Sequence, residues 1–241
     1  MALVPLTYAI DERLPFVFGI AQFATLFTIS YFLSDVNHNK EYDVQPPINI
    51  TWLKNNKSFI WFAVIFGLFA AMYTSLTDFK SIAFEVYGIV PATLGFYFSI
   101  TSLAGAILGY SVHYLKKLTL KQYATIDILV VFIGLAGYSF GSPVIAVIAM
   151  VINFSFWRYR AIIYQEHIFK KYKTRYKATL MSVLFNAEQV NGVWLPVVFG
   201  VIVAALGLQT SFAIAAGFAL IVAMPFMLFT VSSLEHKKPS A

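Results

Sequence analysis

Cysteine is absent from the 241 residues, which excludes disulfides, thiolate metal sites and thiol nucleophiles. Charge is scarce too. Only 12% of residues are Asp, Glu, Lys or Arg against 59% hydrophobic, a balance too apolar for a soluble domain. The chain has no H-E-x-x-H, no G-x-S-x-G and no paired aspartates within an apolar run, so neither enzyme chemistry nor a cofactor or metal site is expected.

Long apolar runs take up most of the chain. Seven can span a bilayer: Leu14–Leu33, Phe59–Leu76, Ile89–Val112, Tyr123–Phe140, Val144–Tyr164, Ala178–Leu206 and Phe212–Val231. Each approaches or exceeds the ~20 residues that a helix needs to cross the hydrocarbon. These runs are too long for barrel strands, and backbone amides in lipid must be satisfied within the segment. The expected fold class is therefore all-α, a polytopic transmembrane helical bundle.

Threaded in this way, all of the seventeen Lys and Arg residues except Arg13 and Lys80 fall on one side of the membrane. Basic loops stay cytoplasmic, which predicts an outer N-terminus and an inner C-terminus. The net charge of +6 then reads as topology signal and contact with anionic lipid rather than nucleic-acid binding. The expected organisation is an outer segment and first span over 1–33, a cytoplasmic linker over 34–58, a six-helix bundle over 59–231 and a cytoplasmic tail over 232–241. Met1–Ile10 has no basic start, so a cleaved signal is not expected. Apolar but half the length of a span, it reads as the remnant of a longer chain.

Polar residues are costly at bilayer depth, so their distribution sorts the spans. The fourth run is nearly apolar beyond Asp127, which lies near the inner surface, and the seventh is almost wholly apolar. Both are expected to face lipid. The second, third, fifth and sixth carry polar stripes that are expected to enclose a cavity. In the fifth, Asn153, Trp157, Arg160 and Tyr164 recur at helical spacing and form one face, suited to an anionic or aromatic ligand; Arg158 points elsewhere. The competing reading is that both arginines snorkel to the inner headgroups.

The sixth run places Ser182, Asn186 and Gln189 on one stripe and Glu188 and Asn191 on another. A lone carboxylate at this depth needs a partner or a proton, which makes Glu188 a coupling candidate and Arg158 its expected partner. Pro196 predicts a kink. Tyr97 and Thr101 form a stripe in the third run that continues into Gly105 and Gly109, a small-xxx-small packing pattern. Tyr73, Thr74 and Asp78 mark the outer end of the second run.

Three short segments add a resemblance. Arg13-Leu14-Pro15-Phe16 looks like the turn before the sixth helix of major facilitator superfamily transporters, with Glu12 in place of the family's Trp. Gly109–Lys117 is similar to the glycine-and-basic loop between that family's eighth and ninth helices, although His113 and Tyr114 replace its acidic residue and first Arg. Lys177-Ala178-Thr179-Leu-Met-Ser182 resembles the signature opening its eleventh helix, with Lys for Arg.

The resemblance implies the C-terminal six-helix domain of such a transporter plus one preceding helix. It further implies a small-molecule substrate, alternating access with possible proton coupling, and an N-terminal six-helix half in the same or a separate chain. The substrate-binding or coupling set expected on this reading is Glu188, Arg158, Arg160, Asn153, Trp157, Asn186, Gln189, Asn191, Tyr97, Thr101 and Tyr73. The alternative is a seven-helix receptor or sensor, whose topology would match; a retinal-binding version is disfavoured because the last run carries no Lys for a Schiff base.

Overall fold

In a computed structural model, the described residues are 56–76, 78–172 and 177–236, together with Trp52 and scattered positions between 17 and 28. Most of the first apolar run and of the 34–58 linker lies outside the described residues. All secondary structure among those that are described is helical. Six helices are long and apolar enough to cross a membrane. The protein is an all-α transmembrane bundle.

The helices are α1 (Lys57–Ala71, continued by a π-turn at Met72–Leu76), α2 (Lys80–Val86), α3 (Pro91–Leu115), α4 (Leu120–Ser139), α5 (Pro143–Lys171), α6 (Lys177–Leu206), α7 (Leu208–Phe218), a second π-turn (Ala219–Ala223) and α8 (Met224–His236). Local chemistry sets their starts. Pro91 and Pro143 stand in the first turn of α3 and α5, where a missing amide costs nothing. Thr119 and Gln122 form a reciprocal capping box that opens α4. The turns after α4 and α6 use Gly141 (φ 66°) and Gly207 (φ 81°), a backbone region that side chains disfavour.

The last span is α7, the π-turn and α8 in continuous register, with Pro225 just beyond the π-turn, so the widened turn falls where proline's ring would otherwise crowd the preceding carbonyls. Pro196 does not end α6, which runs helically through it. Two expected links are partly helical. The outer link contains α2, and α5 continues two turns past Tyr164, where Glu166 pairs with Lys170 one turn on at 2.8 Å and with Lys116, just past the end of α3, at 2.9 Å.

Between helices in lipid, close packing replaces the hydrophobic effect, so small residues set the contacts. α1 packs on α6 where Gly67 meets the backbone of Ala187 and Glu188; a Cβ at Gly67 would overlap the Ala187 carbonyl group. α3 packs on α5 through Gly105 and Gly109, with the Tyr159 hydroxyl donating to the Gly105 carbonyl. α4 packs on α5 where Gly134 meets Asn153 and Gly137 meets Ala149. α7 and α8 lie against α4, and α8 also against α1.

This arrangement corrects the expected sorting of the spans. α4 was expected to face lipid, yet it is among the more buried helices, and Asp127 is 0% exposed. The most exposed are α3 and α6, two of the helices with polar stripes. The reason is tertiary: Asp127 finds a cation on α5, so α4 turns a polar position inward while its glycines admit α5 closely.

Candidate functional site

Asp127 and Arg160 form the polar centre of the bundle. Arg160 Nε donates to Asp127 Oδ2 at 2.8 Å, and both side chains are buried. Arg160 Nη2 donates to the carbonyl of Phe66 on α1 at 3.1 Å, tying α1, α4 and α5 together. The Tyr164 hydroxyl donates to the same Asp127 oxygen at 2.9 Å, and Tyr73 donates more weakly to the Asp127 backbone carbonyl at 3.4 Å. Aromatic rings enclose the guanidinium, with Phe66 at 4.2 Å and Tyr164 at 5.2 Å from its carbon. Arg160 therefore does not snorkel, and its charge is already matched.

Next to this pair lies a cleft of about 260 Å³ lined by Tyr73, Thr74, Asp78, Asn153, Phe154 and Trp157. Two of its walls come from the fifth-run face read from sequence. Tyr73 and Thr74 belong to the π-turn Met72–Leu76, and such turns occur frequently at functional sites because they re-aim side chains from a regular helix. The Tyr73 and Trp157 rings stand 5.3 Å apart, tilted by 38°. Asn153 is 1% exposed, and its Oδ1 has no hydrogen-bond partner, while its amide nitrogen packs against Gly134.

At the rim, Lys80 of α2 is buried with its ammonium 4.2 Å from the centre of the Phe154 ring and 4.0 Å from Asp78. Burial pushes the Lys80 ammonium below the usual lysine range, and Asp78 acts in the opposite direction.

The structure thus brings together Tyr73, Asn153, Trp157 and Arg160 from the expected set. Tyr97 lines a different cleft, at the start of α3 and α5. Thr101 is buried, bonded to the Tyr97 carbonyl, and it receives the Ser155 hydroxyl at its own carbonyl. Asn186 and Gln189 lie exposed on α6. Asn191 is half-buried and bonds within its own helix, to the Ala187 carbonyl and the Trp194 indole.

Glu188 is half-buried beside Gly67 and forms no ion pair among the described residues. The Arg158 side chain is outside the described residues, so its expected pairing with Glu188 is too.

Asp127 and Lys80 stand outside the expected set, as do the ring residues Phe66 and Phe154. Asp127 had a signal, a single acid inside an apolar helix, but it was read as an inner-surface charge. Lys80 was counted only as an outer loop charge. No family model, curated protein or solved structure matches the chain.

Proposed function

We propose that the chain is one half of a secondary transporter of the major facilitator type, moving a small organic solute by alternating access. The observation that carries this reading is the cleft at Tyr73, Asn153 and Trp157, walled by two spans and seated beside a buried ion pair. A cleft with aromatic walls and a few polar groups suits a solute site. A second support is the exposure of α3 and α6, with Asn186 and Gln189 uncovered on α6. Polar positions uncovered at bilayer depth call for another bundle against them.

On this reading the outer ends of the spans face outside, and Glu188, an intramembrane acid without an ion pair among the described residues, carries the coupling proton. In vesicles holding the full gene product, an imposed pH gradient is expected to drive accumulation of at least one member of a labelled panel of aromatic amines, organic acids and sugars. Glu188→Gln is expected to abolish gradient-driven accumulation and leave exchange of the same solute largely intact. Unchanged accumulation removes Glu188 from the mechanism; no protein-dependent flux of any solute removes the transporter reading. Membrane sidedness has its own check, since a cysteine introduced at the exposed Ser81 should react with an impermeant maleimide from outside.

A further inference from the structure

A second cleft, of about 240 Å³, lies where the first turn of α1 meets the last turns of α8. We infer that it seats one anionic glycerophospholipid, with the phosphate on Lys57 and the start of an acyl chain on Trp61. Its polar end is Lys57 and Ser58 of α1 with Ser233 of α8, and its apolar end is Trp61, Phe226 and Phe229. Both helices pass from polar to apolar in the same direction. Trp61 stands one turn in from Lys57, while Phe229 and Phe226 stand about one and two turns in from Ser233. The Trp61 and Phe226 rings meet edge to face with centres 5.9 Å apart, joining the two helices at the apolar end. A lipid lying along a transmembrane helix has the same polarity gradient. The site depends on the transmembrane bundle alone and not on what the chain transports.

Charge selects the headgroup. Lys57 is exposed and forms no ion pair among the described residues, whereas Lys116 and Lys170 share Glu166. Glu235 is close in sequence to Ser233 but does not line the cleft; its carbonyl accepts from Lys171 of α5 at 3.3 Å. The Ser58 and Ser233 hydroxyls make no hydrogen bond among the described residues, so both can donate to phosphate oxygens. Lysines gather at this end of the bundle, and basic residues at span ends attract anionic lipid. Exposure selects a lipid over a soluble anion. Trp61 and Phe229 are 55% and 68% exposed, and a free phosphate on Lys57 would leave both uncovered. Trp is favoured at the depth where headgroup gives way to hydrocarbon. Neither α3 nor α6 contributes to the lining, so a second bundle against those exposed helices leaves the cleft open to lipid.

Tryptophan fluorescence reads the occupant directly. The full gene product is placed in equimolar phosphatidylglycerol and phosphatidylcholine, with one lipid or the other brominated near the glycerol. Quenching at Trp61 is the part of the signal that Trp61→Phe removes. Phosphatidylglycerol is expected to occupy the cleft about fivefold more than phosphatidylcholine, the worth of one lysine near an anionic surface. Lys57→Gln should bring the two lipids level at Trp61, and Lys57→Arg should keep the preference. Lys116→Gln should leave it unchanged. Trp194, exposed on α6 beside an apolar groove, should show no preference. Equal quenching of Trp61 by the two lipids in the unmodified protein overturns the anionic headgroup without relying on any variant. A preference that survives Lys57→Gln overturns the site. An equal preference at Trp194 means general enrichment of anionic lipid around the bundle, which overturns a seated lipid. Solute flux enters none of these outcomes, so the transporter reading stands or falls separately.

Discussion

Two carboxylates lie within the apolar runs of the described bundle, and they are held in opposite ways. Asp127 is fully buried and meets Arg160 and Tyr164 through one oxygen. Glu188 is half-buried on the exposed helix α6 and has no ion pair among the described residues. Burying a charge is tolerable only when a counter-charge and hydrogen bonds replace water. Asp127 meets that condition through Oδ2, and the pair fastens three helices; Glu188 has no such counter-charge among the described residues. One acid serves architecture, and the other is the one proposed to carry the coupling proton.

Neutralising the fastening acid should have the largest effect. Asp127→Asn leaves Arg160 buried without its counter-charge, and a loss of about 3–5 kcal/mol is expected, read as a fall in thermal or SDS unfolding midpoint in detergent. A loss below that of the Gly67 variant would mean that the pair does not anchor the bundle. Next comes Gly67→Val, which drives a side chain into the Ala187 and Glu188 backbone. Overpacking of this kind costs about 1–3 kcal/mol, and because it separates α1 from α6 it should also raise the labelling rate of a cysteine placed at Ala187.

Removing one hydroxyl is milder. Tyr164→Phe deletes a donor to Asp127 while Arg160 remains on the same oxygen, so about 1 kcal/mol is expected in the same unfolding assay. Glu188→Gln should change stability least, within about 0.5 kcal/mol, as for a residue free of named packing or pairing roles. A loss as large as that of Asp127→Asn would erase the distinction between the two acids.

The two acids also mark how far the sequence was legible. Five of the six described spans match an apolar run to within a few residues, because length and hydropathy alone decide what crosses a bilayer; the exception is α5, whose charged extension past Tyr164 depends on ion pairs. The common face of Asn153, Trp157, Arg160 and Tyr164 was readable from 3.6-residue periodicity, and three of the four are buried as a set. What that face meets was not readable. Depth counting placed Asp127 at the inner surface and treated α4 as a lipid-facing support, since the cation that draws it inward stands 33 residues away. The π-turn that turns Tyr73 and Thr74 toward the cleft likewise has no signature in the run Met72–Leu76.

The amino-acid order alone determined the material of the fold: which segments are apolar helices, where glycine and proline punctuate them, and which faces carry polar atoms. These properties depend on local sterics and on transfer from water to hydrocarbon, and both act residue by residue. Only the tertiary structure decided which polar atoms meet. Pairing of Asp127 with Arg160 joins groups far apart in the chain, and it matches the charge that otherwise would have pointed to an anionic ligand. Helix packing likewise left Asn153 with an acceptor that no neighbouring helix satisfies.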